Sequence, residues 1–189
     1  MLARNAPEVA PDLIGCRLIS TIGNVVTGGR IVEAEAYTQD DPACHAYHGR
    51  RPRNLSLFGP SGHAYVYRSY GVHWCVNMVT GEEGIGQGVL IRALEPEVGI
   101  DIMRQRRGIE IERLLCSGPG RVGQALAITG DLDGSSVCGP YLYLYPPERS
   151  ARRIARTPRI GVTLGAERLW RFVDADSRYL SRGYQKVKD

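Results

Sequence analysis

The stretch from Arg17 to Tyr37 constrains the fold more than any other: "RLISTI", then Gly23-Asn24, then "VVTGGRIVEAEAY". Two runs rich in β-branched residues, separated by turn-forming glycine and asparagine, predict adjacent antiparallel strands. Downstream the pattern recurs, because "HAYVY" and "VHWCVNMVT" flank a break at "RSYG" and so predict a hairpin with Tyr70 at its tip. "GVLIRAL", "YLYLY" and "RIGVTLG" are further expected strands. Helices are expected in "EPEVGIDIMRQRRG", where Pro96 suits a first turn and Glu95 and Glu97 suit its positive end, and again in "IEIERLL" and "GRVGQALAI". Mostly antiparallel strands with a few helices between them give the α+β class.

A chain of 189 residues with 43% hydrophobic content supports one core, so residues 1–189 are expected to form a single domain with a frayed tail over 183–189. No run of 18 apolar residues occurs, and Pro7 and Pro11 stand where a signal peptide would need its apolar core. A soluble, cytoplasmic protein with no membrane partner is expected. The five cysteines (Cys16, Cys44, Cys75, Cys116 and Cys138) are odd in number and lack CxxC pairing, which disfavours a disulfide framework or a zinc knuckle.

The net charge of +4 is only mildly basic, yet the arginines cluster: Arg50, Arg51 and Arg53 share one loop, and Arg104, Arg106 and Arg107 another. Such patches suit a polyanion, since the guanidinium fork binds two phosphate oxygens at once. Of the 24 basic residues only Lys186 and Lys188 are lysines. Both lie in the expected tail, so the body of the chain offers no lysine nucleophile.

Strand alternation places Ile31, Glu33, Glu35 and Tyr37 on one face and Val32, Ala34 and Ala36 on the other, with the small apolar face expected to pack inward. The opposite face then carries two carboxylates and an aromatic, either solvated or part of a site. The window from Tyr37 to His73 holds five of the ten tyrosines and all four histidines. Stackable rings gathered in this way suit a pocket for a flat ligand, each base-to-ring stack contributing about 1–3 kcal/mol.

Three other motifs fit less well. Cys44, His45 and His48 could ligate a metal, but no second Cys/His pair stands at zinc-like spacing. "GPGRVG" matches GxGxxG, although no clear strand precedes it and no acid lies at the ribose-binding offset, so a dinucleotide site is disfavoured while a DNA phosphate at the helix start stays open. Glu33 and Glu35 are neighbours on one face, not carboxylates flanking a bond as in a glycosidase.

"GRIVEAEAY", "PRN", "AYVYRSYGVHWCVN", "GVLIRALEP", "LCSGPGRVGQALAI" and "PRIGV" occur in an order and spacing that resembles the alkyladenine (3-methyladenine) DNA glycosylase family over about residues 12–175. The resemblance implies a monomeric, metal-free and cofactor-free domain with a curved antiparallel sheet and a protruding hairpin, acting on double-stranded DNA that contains a damaged purine. It implies that Glu35 is the general base that activates a water. Arg92 and the main-chain carbonyl of Ile160 would help hold that water. Tyr37, His45 and Tyr67 would line the base pocket, Asn77 would crowd the position of a guanine amino group, and Tyr70 would wedge into the gap left by a flipped nucleotide. Glu33 is left with a structural role. The alternative is a non-catalytic nucleic-acid binding module, which would use the same aromatics and arginines without needing a carboxylate at the pocket.

Overall fold

In the computed structural model, which describes residues 1–147 and 153–184, β1 (Arg17–Ser20) and β2 (Thr27–Tyr37) pair antiparallel as the sequence predicts. The sheet closes tightly at Gly29, where a Cβ would stand 2.1 Å from the carbonyl oxygen of Glu95. The hairpin also forms, with β3 (Ala64–Ser69) and β4 (His73–Val79) in register from the Ala64–Met78 pair to the Ser69–His73 pair. β5 (Gly88–Val98) lies between β4 and β2, and β6 (Leu142–Tyr145) lies outside β1, giving the order β3-β4-β5-β2-β1-β6. β7 (Ile154–Thr157) and β8 (Arg171–Asp174) pair with each other, and β8 joins β2. All of these pairings are antiparallel, in keeping with the α+β class.

β2 is therefore the central strand. One edge is covered by β5, and the other is divided, with β1 opposite residues 27–30 and β8 opposite 33–35.

Simple alternation fails along β2. The pairing with β5 runs Ile31 to Leu94, Glu33 to Ala93 and Ala34 to Ile91, so Val32 is an extra residue on one strand and Arg92 an extra residue on the other. These two bulges each shift the pleat by one position. Ile31 consequently packs in the main core with Ala34, Ala36, Ile91 and Leu94, while Val32 packs with Ala93, Val173 and Tyr179 on the reverse face. The expectation that Ile31 shares a face with the glutamates is thus corrected. The same paired shift turns Arg92 toward the face that carries Glu33 and Glu35, and both carboxylates are fully buried instead of solvated.

The helices depart further from expectation. β5 continues through Pro96 to Val98, and α2 spans only Ile100–Arg107 after a left-handed turn at Gly99. Glu95 and Glu97 are held in the sheet by ion pairs to Arg30, with Arg17 also 2.6 Å from Glu97, so cross-strand charge overrides their suitability for a helix start. "IEIERLL" supplies only a short 3₁₀ turn at Glu112–Leu114. "RIGVTLG" is irregular, lying between β7 and β8, and begins just past Pro158, which cannot donate to a ladder. An unforeseen helix, α1 (Ala6–Leu13), starts with Pro7 in its first turn and buries Ala6, Val9, Ala10 and Leu13 against the sheet. α3 (Pro119–Ala125) lies against β4.

Of the expected tail, residues 185–189, including Lys186 and Lys188, lie outside the described residues. Tyr184 is docked beside the Val32 cluster and donates its hydroxyl hydrogen to the Ala175 carbonyl at 3.2 Å. No helix among the described residues is long and apolar enough to cross a membrane.

Candidate active site

A cavity of about 850 Å³ opens between the C-terminal end of β2, the β3–β4 hairpin, the loop before β3 and the irregular segment after β7. Tyr37, His45, Tyr67, Tyr70, Asn77, Arg92 and Ile160 all line it, so seven of the eight residues singled out from the sequence converge on one space. Glu35 lies behind its wall.

Glu35 has no exposed surface, and its three hydrogen-bond donors come from separate parts of the chain. The Tyr37 hydroxyl donates to Oε2 at 2.8 Å, Arg92 Nη1 donates to the same oxygen at 3.2 Å, and the Ile160 N–H donates to Oε1 at 2.8 Å. Ile160 thus reaches Glu35 through its amide, whereas the resemblance assigns its carbonyl to the site. A carboxylate oxygen accepts about two hydrogen bonds, so Oε1, with one in place, retains capacity for a further donor. Burial, reinforced by the Glu35 charge, holds the Tyr37 phenol far above its usual pKa and keeps it a donor.

The aromatic wall follows from strand periodicity. Tyr65 and Tyr67 share a face of β3, with ring centroids 5.5 Å apart and planes inclined at 27°. His45 meets Tyr67 edge-on at 4.5 Å, and its Nδ1 exchanges a hydrogen bond with the Tyr65 hydroxyl at 2.8 Å. Burial pushes both phenols up. Desolvation among these rings, and then the Arg53 charge, lowers the pKa of His45, leaving a neutral imidazole with one donor and one acceptor nitrogen. Asn77, opposite Tyr65 in the ladder, donates its side-chain amide to the Tyr65 carbonyl at 3.0 Å and is thereby fixed at the cavity wall.

Several supporting residues were not singled out from the sequence. Fully buried Asn54 donates to the carbonyls of His45 and Gly49, at 2.8 and 3.2 Å, and so fixes the loop that carries His45. Its only signal was membership of the short "PRN" block. Asp41 forms a buried bidentate pair with Arg159, whose guanidinium carbon lies 4.6 Å from the Tyr37 ring centroid. Nothing in the local sequence marks that pair, because its partners are far apart in the chain.

Tyr70 is 94% exposed at the hairpin tip and holds a left-handed backbone, φ +51°, beside Gly71 at φ +68°. A bulky aromatic in that region is strained, and here the strain presents the ring to solvent. In "GPGRVG", Gly120 and Gly123 serve packing: a Cβ there would stand 2.6 Å from the His73 Cβ and 2.2 Å from the Trp74 carbonyl oxygen, respectively. Cys44, whose thiol burial pushes up to about 11, accepts a hydrogen bond from the Ala46 amide. Among the described residues no group of three or more His, Cys, Asp or Glu side chains is disposed to hold a metal.

The chain as a whole is also similar to known proteins. Residues 1–178 match the model of the Methylpurine-DNA glycosylase (MPG) family. The chain belongs to that family. Members are DNA glycosylases, hydrolases of the N-glycosidic bond, and this enzyme therefore acts on DNA. Among its relatives, a protein of Methanoculleus marisnigri is 51% identical over 183 residues, covering 95% of each chain. One of Nitrosospira multiformis is 51% identical over 179 residues, covering 95% of this chain and 90% of its own. A third, from Rhodopseudomonas palustris, is 48% identical over 182 residues, covering 96% and 88%. All three bear the name "Putative 3-methyladenine DNA glycosylase".

Proposed function

We propose that this glycosylase turns a damaged purine of the 3-methyladenine, hypoxanthine or ethenoadenine class out of duplex DNA and hydrolyses its bond to the sugar with a water activated by Glu35. The observation that carries this reading is the Glu35 environment, a fully buried carboxylate whose three hydrogen-bond donors all line the cavity.

Cleavage builds positive charge on the sugar as the base departs. A carboxylate held in place by Arg92, Tyr37 and Ile160 stabilises that charge without reorganising and aligns the attacking water. Tyr37, Tyr67 and His45 supply stacking faces and edge hydrogen bonds for the purine. Asn77, anchored to Tyr65, excludes the 2-amino group of guanine-type bases. Tyr70 fills the gap in the base stack, offsetting part of the few kcal/mol spent on extrusion.

The test is a set of duplexes, each with one lesion, incubated with the enzyme and then treated with alkali. Breakage at the lesion only after alkali is the expected result. Intact DNA for every damaged purine would overturn the substrate class.

A further inference from the structure

Glu33 is fully buried and does not line the cavity, yet it collects more hydrogen bonds than Glu35. Its Oε1 accepts from Arg92 Nε at 3.2 Å, from Arg171 Nε at 2.8 Å and from Ser181 Oγ at 2.7 Å, and its Oε2 accepts from the Ser181 amide at 2.6 Å. Arg171 is fixed in turn by Thr157 and by the carbonyl of Arg182. A strand carboxylate is thus tied to β8 and to the C-terminal segment.

Arg92 joins this cluster to Glu35. Its guanidinium spends Nε on Glu33 and Nη1 on Glu35. A planar guanidinium held at Nε cannot rotate without breaking that bond, so the direction of Nη1 is set by where Glu33 sits. The charges also balance: Arg171 compensates Glu33, which leaves the Arg92 charge to Glu35.

We propose that Glu33 is a positioning residue for the reaction, acting through Arg92: anchored by Arg171 and Ser181, it holds the guanidinium so that Nη1 faces the carboxylate that activates water. Glu33 does not line the cavity, so its effect on the reaction is indirect. The role rests on the reading of Glu35 as general base, and it makes the C-terminal segment around Ser181 part of the catalytic apparatus, although that segment lies outside the cavity.

A double-mutant cycle separates this role from support of the fold. Single-turnover excision of a charged methylpurine, whose ready departure keeps slow variants measurable, is followed for the wild type, Glu33→Gln, Arg92→Gln and the double variant, at a temperature where all are folded. Glu33→Gln is expected to slow the chemical step by about 10- to 100-fold, as loss of groups that orient an active-site residue does elsewhere, while lesion-DNA affinity stays within about twofold. In the Arg92→Gln background the same change is expected to have no further effect. Rates that multiply, or a Glu33→Gln rate equal to wild type, would overturn the proposal. If Glu33→Gln does not fold, Ser181→Ala takes its place in the cycle: a slowing seen only while Arg92 is present supports the role, and any other result overturns it. Glu35→Gln is measured alongside. Full activity in that variant would remove the general-base reading itself, whereas an inactive Glu35→Gln with independent effects of Glu33 and Arg92 would remove only the positioning role.

Discussion

The guanidinium carbon of Arg159 lies 4.6 Å from the ring centroid of Tyr37, so the pocket aromatic that bonds Glu35 is backed by a buried cation. Arg159 is held there by Asp41 and by the Ala36 carbonyl at 3.0 Å, and the next residue, Ile160, delivers its amide to Glu35. Breaking a buried pair by removing one partner strands the other charge, at a cost of about 3–5 kcal/mol. Asp41→Ala should therefore lower Tm by roughly 10 °C for a domain of this size. A melting curve within about 2 °C of wild type would mean that the pair contributes little.

Tyr70 is expected to act in opposite senses on stability and on DNA binding. The left-handed backbone favours glycine, and the exposed ring loses no packing on removal, so Tyr70→Gly should stabilise the free protein by about 0.5–1 kcal/mol. The same variant should bind lesion duplex more weakly, and the deficit should shrink when the lesion sits in an unpaired bubble, where no stack needs filling. An equal loss on bubble and duplex would rule out a wedge.

Asn77→Ser should raise excision of guanine-type bases relative to hypoxanthine, because the shorter side chain opens room for an exocyclic amino group. It also removes the donor to the Tyr65 carbonyl, a loss of about 1 kcal/mol in stability. The ratio of single-turnover rates on the two bases is the measurement, and an unchanged ratio would show that Asn77 does not contact the base.

How much of this was legible in the sequence depended on how local the determining interactions are. The β1–β2 pair, the β3–β4 hairpin and the exposed tip at Tyr70 were legible because turn chemistry and strand composition act over a few residues. The β-bulges at Val32 and Arg92 were not, since they exist only as a mismatch between two strands 60 residues apart, and they decide that Arg92 meets both glutamates. Pro96 misled for a similar reason. Its helix-start character is local, whereas its place in β5 comes from pairing with Gly29 and from the ion pairs of its glutamate neighbours to Arg30. The site residues were named through resemblance. Composition alone marked only a tyrosine- and histidine-rich window and a glutamate pair, and could not tell Glu33 from Glu35.

Residues 1–185 contain no lysine, so water is the expected nucleophile, and the product should be an intact abasic strand. A glycosylase that also nicks the backbone does so through a Schiff base to an amine. Borohydride added during turnover should trap no protein–DNA adduct. A stable adduct, lost on truncation after Arg182 or on blocking the amino terminus, would show that an amine takes part.

Water activation by Glu35 is tested most directly by the single-turnover excision rate of Glu35→Gln on a hypoxanthine duplex, measured beside its affinity for the same DNA. Glutamine keeps an acceptor for the Ile160 amide and the shape of the site, but it cannot take a proton. The chemical rate should fall by at least about 10³-fold while lesion-DNA affinity is retained or increased. Excision within about tenfold of wild type, with binding intact, would contradict the assignment of Glu35 as the base.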